Sequence, residues 1–308
     1  MTADQSAFDL LGIGECMLEL RDAVDQPLRL SFGGDVLNTL VYAQRTGIRS
    51  AFATATGDDH YGHWLRSQWE AEGINCDLVN HHPGLSPALY IIRNSDSGER
   101  SFHYWRDASP FGHLLDQPAY NERLSEQLAL SKWVYLSGIT LAMLSDARRD
   151  QLLDIIARAR SQGTQVAFDP NYRARLWQDV ASARSWLHRG YQCASLALPS
   201  LDDERDLHDA PLHSQLLADR LSRLGVAEVV VKDGERGSQI FVDGHMLSVP
   251  AGAAPHVLDT TSAGDAYNGA YLAARIQGRS APEAGKAAAA QAAYVVQHPG
   301  AIAPLMAD

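Results

Sequence analysis

Asp259-Thr-Thr-Ser-Ala-Gly-Asp265 is the stretch on which the fold turns, because an apolar helical pattern over 266–276 follows it directly. Small residues and Gly264 let backbone N–H groups converge at the first turn of that helix. Its unpaired donors and the positive end of its dipole form a site for an anion. Asp265 stands at the edge of this site. A carboxylate beside a bound phosphoryl group is repelled unless it has a task, such as accepting a proton from an attacking hydroxyl, which contributes about 10²–10⁴ in rate. An ordinary acid in a first helical turn, favourable with the dipole by under about 1 kcal/mol, fits the same residues. From this segment alone the two readings stand level.

Upstream, short apolar β-rich runs recur at 8–14, 50–54, 133–136, 165–168, 195–198 and 229–231, with amphipathic helical patterns at 36–45, 62–72, 146–161 and 212–224. Such alternation builds βαβ units and a mainly parallel sheet covered on both faces. Residues 17–32 and 88–105 break the rhythm. They alternate at period two and read as antiparallel strands outside the main sheet, forming a small lid. Residues 239–249 read as a hairpin turning at Asp243-Gly244. No repeat, low-complexity tract or linker divides the chain, so a single α/β domain over 1–308 is expected, with lid segments at about 16–32 and 86–109.

The 308 residues carry 26 Lys+Arg against 37 Asp+Glu, a formal net charge of −11. Nucleic acids and anionic membranes demand a basic field, so neither is expected as a partner. An anionic small molecule needs only a local cluster of positive groups and stays open. Cys16, Cys76 and Cys193 are too scattered for a disulfide framework or a CxxC site. Cys16 and Cys193 read as buried small hydrophobes in strands. With neither a basic, apolar leader nor an 18-residue apolar run, a cytoplasmic protein is expected. His60 and His63 share a helix face without a third ligand in sequence, and His81-His82 before Pro83 read as solvated loop residues.

Phe32-Gly-Gly-Asp-Val-Leu-Asn38 is a second glycine-rich opening to a helix. Paired glycines permit close backbone approach to a ligand, with Asn38 one turn in. A tight turn capped by Asp35 is the better reading of this segment alone. Gly12-Ile-Gly14 lacks the next glycine of a dinucleotide fingerprint, since Met17 stands there, which disfavours a Rossmann oxidoreductase.

Together these pieces resemble the PfkB (ribokinase-like) family of carbohydrate kinases. Gly14-Glu-Cys-Met-Leu-Glu-Leu20, Gly98-Glu-Arg-Ser-Phe-His-Tyr-Trp-Arg106, Leu136-Ser-Gly-Ile139, Phe168-Asp-Pro-Asn-Tyr-Arg-Ala-Arg-Leu-Trp177 and Gly300-Ala-Ile-Ala-Pro304 resemble its bacterial subgroup acting on 2-keto-3-deoxy sugar acids, over about residues 8–304. The resemblance implies a three-layer ribokinase-like core with a β-sheet lid and ATP-dependent phosphorylation of 2-keto-3-deoxygluconate at O6. It makes Asp265 the base, with Ala263, Gly264 and Asp265 supplying anion-hole N–H groups. It gives substrate contacts to Gly34, Asn38, Tyr90, Tyr104, Arg106, Arg173 and Asp265. Nucleotide contacts fall to Lys232, Gly234, Gly237, Ser262 and Gly264, although an exposed strand-end lysine fits Lys232 equally well. Glu19 holds hydroxyls in neutral-sugar relatives and is either that or lid structure here.

ATP and Mg²⁺ are the implied cofactors. Ser200-Leu-Asp-Asp-Glu204 stands for the family's NxxE segment, tied to the magnesium hydration shell, with Asp203 and Glu204 both eligible. Asp259 and Thr260 occupy positions linked to a monovalent cation in some relatives, and residue 262 is Ser where the broad family has Gly. A sugar acid needs a fixed cation for its carboxylate. Arginine supplies one through two parallel N–H···O contacts, each charged bond contributing about 1.5–3 kcal/mol, and a neutral ketose would leave it unpaired. Arginines are usually surface ion-pair partners; the resemblance is what places Arg106 and Arg173 at the acid. Rival readings are a kinase of the same fold for 2-keto-3-deoxygalactonate or a neutral ketose, and a catalytically silent sugar-acid sensor. Open lid edges make a homo-oligomer the expected assembly.

Overall fold

The computed structural model of the protein describes residues 7–23, 26–94 and 100–306. Residues 1–6 of the segment scanned for a leader, 24–25 and 95–99 of the expected lid, and with them Gly98 and Glu99 of the quoted motif, lie outside the described residues.

In chain order the strands among the described residues are β1 (Leu10–Ile13), β2 (Met17–Ala23), β3 (Gln26–Gly33), β4 (Ser50–Gly57), β5 (Val79–His82), β6 (Leu89–Asn94), β7 (Arg100–Trp105), β8 (Trp133–Ser137), β9 (Gln165–Asp169), β10 (Leu196–Ala197), β11 (Glu228–Lys232), β12 (Ser238–Val242) and β13 (His245–Val249). The main sheet runs β13-β12-β11-β10-β9-β8-β1-β4-β5. It is parallel from β11 to β5 and ends in the antiparallel β12–β13 hairpin. The hairpin turn carries φ 51° at Asp243 and 74° at Gly244, which a two-residue primed turn requires. β1 and β4 are buried along their whole length, as a parallel sheet covered on both faces demands. Side-chain alternation divides the core. Leu11 and Ile13 pack with the helices at Pro118–Leu130, Asp146–Ser161 and Val180–Cys193, while Leu10 faces those at Asp35–Gln44, His60–Ala71, Ala263–Ile276 and Ala281–Val295. The fold is the expected three-layer α/β arrangement.

Two expectations change. The smaller sheet runs β3-β2-β6-β7, and its two hairpins meet through a parallel pair, Leu18 opposite Leu89. Alternation along a strand does not encode direction, and the 34–88 excursion returns the chain at the same end of the sheet. Cys16 lies between β1 and β2, and Cys193 closes a helix, so neither is in a strand. Cys16 is buried and Cys193 partly so. No described helix is long and apolar enough to cross a membrane.

What positions the site is the approach of the Asp35–Gln44 helix to the Ala263–Ile276 helix. A Cβ on Gly269 would stand 2.5 Å from the Thr39 carbonyl oxygen and 2.9 Å from Tyr42 Cβ, so the contact admits glycine alone. Gly→Ala inside a helix ordinarily stabilises by up to about 1 kcal/mol. Gly269→Ala is expected to do the opposite and cost about 1–3 kcal/mol in urea unfolding, because the added methyl forces the helices apart.

Candidate active site

The Ala263–Ile276 helix begins from Ser262 in the left-handed region, φ 63° and ψ 8°. The turn is braced by the Thr261 N–H donating to Asp259 Oδ1 at 2.8 Å and the Ala266 N–H donating to Ser262 O at 2.8 Å. A side chain at Ser262 is strained in this conformation where glycine is not. The Ala263 N–H donates to Thr260 O at 3.3 Å. The N–H groups of Gly264 and Asp265 find no carbonyl among the described residues. Of the three nominated anion-hole donors, those two are therefore uncommitted and Ala263 is not.

Asn38 reaches across from the facing helix, and its Nδ2 donates to Asp265 Oδ2 at 2.9 Å. Thr39 Oγ1 donates to the Asp265 carbonyl at 3.2 Å. Burial, followed by the charge of nearby Asp35, pushes the Asp265 carboxyl up to about 7. Asp35 does not cap its helix, because Gly34 holds the N-cap position without a side-chain bond. The Asp35 carboxylate instead accepts from Asn171 Nδ2 at 2.9 Å, and burial raises its pKa. The glycine pair is also read differently in three dimensions. Cβ atoms would stand 2.2 Å from Tyr90 Oη at Gly33 and 2.2 Å from Glu15 O at Gly34. Close packing of the protein on itself is what needs them.

Lys232 closes β11, and its Nζ donates to Asp169 Oδ2 at 2.6 Å and Asn268 Oδ1 at 3.0 Å. Asn268 also donates to Asp169 at 2.6 Å and to Tyr135 Oη at 3.1 Å. Far from being an exposed strand-end lysine, Lys232 stands with its Nζ 3.7 Å from where a Cβ on Gly264 would lie. Gly237, at φ 88°, has a Cβ position 2.1 Å from Val249 O, so the turn after β11 is built for glycine.

At the opposite end, Arg106 pairs with the buried Glu15 carboxylate, which also accepts from Ser109 Oγ. Burial pushes the Glu15 carboxyl up, opposed by the Arg106 charge. Arg106 Nε is buried and has no partner among the described residues. Tyr104 stacks on Tyr90 with ring centroids 5.6 Å apart and carries the Arg175 guanidinium 3.8 Å above its own ring. The Tyr90 hydroxyl donates to Glu19, also bonded by Ser31 Oγ at 2.8 Å and Arg21 Nη2 at 3.0 Å, so Glu19 is engaged within the small sheet. Arg173 meets Asp203 at 3.2 Å. Glu204 is buried under the Tyr191 hydroxyl at 2.6 Å. Asp203 is thus the acid of that pair that faces the cavity, and burial raises its pKa against the opposing charge of Arg173.

A cavity of about 780 Å³ joins both ends. Gly34, Asn38, Tyr90, Tyr104 and Arg173 line one side, and Lys232, Gly234, Gly237, Ser262, Ala263 and Gly264 the other, with Asp265 between. Arg106 opens into an adjoining recess with Arg173, Arg175 and Glu15. Most of these groups sit beyond the carboxyl ends of parallel strands, where α/β sheets bind ligands. Sequence reasoning missed Glu15, Asp169, Asn268 and Arg175. Asn171 was missed with them; Glu15, Asp169, Asn171 and Arg175 sit inside quoted runs, which was their only signal. Elsewhere, ligand atoms of Asp58, His63 and His81, without His60, lie within 4.8 Å of one another, and His81 belongs to a strand rather than a solvated loop.

The profile described as "pfkB family carbohydrate kinase" matches residues 8–308. A protein named 2-dehydro-3-deoxygluconokinase from Dickeya dadantii is 38% identical over 302 residues, covering 96% of each chain. A protein of the same name from Escherichia coli K12 is 36% identical over 299 residues, covering 95% of this chain and 96% of that one. A crystal structure from E. coli, described as a ribokinase II in complex with ATP and Mg²⁺, superimposes with a TM-score of 0.82 at 22% identity, covering 96% of this chain and 94% of that one.

Two measurements follow from the geometry. Ser262→Gly is expected to raise stability by about 1 kcal/mol in urea unfolding by relieving the left-handed residue. In ¹³C NMR of the unliganded protein, the Asp265 carboxyl is expected to titrate at about 7 rather than in the ordinary carboxylate range.

Proposed function

The chain belongs to the pfkB family of carbohydrate kinases, and from that premise we propose that it transfers the γ-phosphoryl group of ATP to O6 of 2-keto-3-deoxygluconate. The observation that carries this reading is the Asp265–Asn38 pair on the floor of one cavity, with uncommitted N–H groups and Lys232 on one side and arginines on the other. The names of the relatives at 38% and 36% identity support the choice of acid.

Asp265 takes the O6 proton. A base with a pKa near the working pH is the efficient choice, and burial beside Asp35 supplies that value. Asn38 fixes one carboxylate oxygen and so aims the other. The Gly264 and Asp265 N–H groups, at the positive end of their helix, stabilise charge on the transferring phosphoryl, with the Lys232 ammonium beside them. Asp169 and Asn268 hold that ammonium in place. Arg106, oriented by Glu15, and Arg173 receive the substrate carboxylate, and Tyr90 and Tyr104 wall that end.

Asp203 faces the cavity beside Arg173 and fits the hydration shell of Mg²⁺, which would offset the phosphate charge of bound ATP. Residues 1–308 act as one kinase domain, with the β3-β2-β6-β7 sheet as its lid. The exposed Leu28, Leu30 and Trp105 on that sheet fit a second copy of the chain.

ADP release with Mg·ATP is expected with 2-keto-3-deoxygluconate and not with fructose, ribose or adenosine; brisk turnover of a neutral sugar with none of the acid would overturn the substrate assignment. Asp265→Asn is expected to lower kcat at least about 100-fold. Because the Asp265 carboxyl is raised to about 7, the active form is lost as pH falls through that value. A decline in kcat/KM of about tenfold per pH unit on the acid side is therefore expected. Arg106→Leu is expected to raise KM for the acid by about 10–100-fold, the worth of one charged hydrogen-bond pair, with the KM for ATP little changed.

A further inference from the structure

We infer that the guanidinium of Arg21 is a built-in cation that replaces a monovalent metal ion beside the anion loop. The resemblance assigns such an ion to the Asp259–Thr260 position, but the residues present do not fit one. Asp259 is 4% exposed and its two carboxylate oxygens are already engaged. Oδ1 accepts the Thr261 N–H at 2.8 Å. Oδ2 accepts the Gly300 N–H at 2.7 Å and lies 3.7 Å from Arg21 Nη1. A metal ion bound at this carboxylate would sit against an existing positive charge.

The cradle is shaped for the guanidinium. Gly300 has φ 100°, and a Cβ there would stand 3.0 Å from Arg21 Nη2 and 3.3 Å from Nη1. The side chain occupies the space on the open face of Gly300, between the C-terminal segment and the anion loop. A buried carboxylate is stable only when its charge is compensated and its oxygens are bonded, and here three separate segments meet to do so.

Arg21 belongs to β2 of the small sheet, so the compensating charge comes from outside the main sheet and its helices. The same guanidinium donates to Glu19, whose carboxylate also holds the Tyr90 hydroxyl. A dissociable ion would leave loop order dependent on the salt present. A covalently tethered cation keeps the 259–265 loop ordered in any salt, and it ties that loop to the wall carrying Tyr90. Arg21 is on this view a positioning residue that acts through Asp259.

The test compares wild type, Arg21→Gln and Arg21→Lys in KCl and in tetramethylammonium chloride at equal ionic strength. Melting temperature is read without substrate, so it stands even if the assigned sugar acid is wrong; turnover rests on the kinase reading. Wild type is expected to show the same melting temperature and rate in both salts. Arg21→Gln is expected to lose at least about tenfold in rate in tetramethylammonium, because an uncompensated buried carboxylate remains, and to recover rate and melting temperature in KCl. Arg21→Lys, which keeps the charge, is expected to stay indifferent to the salt and separates loss of charge from failure to fold. A wild-type melting temperature or rate raised severalfold above its scatter by KCl would overturn the inference, as would a folded Arg21→Gln protein indifferent to KCl.

Discussion

The hydrogen bond from Asn38 Nδ2 to Asp265 Oδ2 joins residues 227 positions apart, and the rest of the site is arranged around it. It exists because two helices on the same face of the sheet approach until the Gly269 backbone touches the Thr39 carbonyl. That approach fixes the Asp265 carboxylate at the first turn of its own helix, where two N–H groups lack a carbonyl acceptor among the described residues. A carboxylate and two backbone N–H groups are thereby held on one rigid element. In the proposed reaction this places base and phosphoryl within a single turn of helix, so little reorganisation is left for the chemical step.

The electrostatics explain how a chain of formal charge −11 can take two anions. Carboxylates outnumber cations, yet several in and beside the cavity are answered locally. Asp169 is matched by Lys232, Glu15 by Arg106, Asp203 by Arg173 and Asp259 by Arg21. Asp35 has an amide partner in Asn171 rather than a cation, and its charge is one cause of the raised pKa of Asp265. The pairs hold the cations in place, while the buried Arg106 Nε and the N–H groups of Gly264 and Asp265 have no partner among the described residues. Local exceptions to the overall charge mark the site.

Much of this was legible in the sequence because it is local. The 259–265 segment predicts a loop opening a helix, and it does. The Asp243-Gly244 turn and the 146–161 helix fall where their patterns place them. What the sequence left open is long-range. Nothing near Arg106 announces Glu15, 91 positions away, and nothing near Lys232 announces Asp169, 63 positions away. The glycines at 33 and 34 signal close approach without saying to what. Strand alternation shows which side chains share a face but not whether β2 and β6 run parallel. Which of Asp203 and Glu204 faces the cavity is likewise long-range, set for Glu204 by burial beneath Tyr191.

In the proposed reaction Asp265 acts on a terminal, primary hydroxyl. Proton-coupled ³¹P NMR of the product formed from Mg·ATP and 2-keto-3-deoxygluconate tests this most directly. Phosphate on O6 is bonded to a CH₂ group, so the predicted signal is a phosphomonoester triplet. A doublet, from phosphate on a secondary hydroxyl, or no new phosphomonoester beside the ADP signals, would contradict the account.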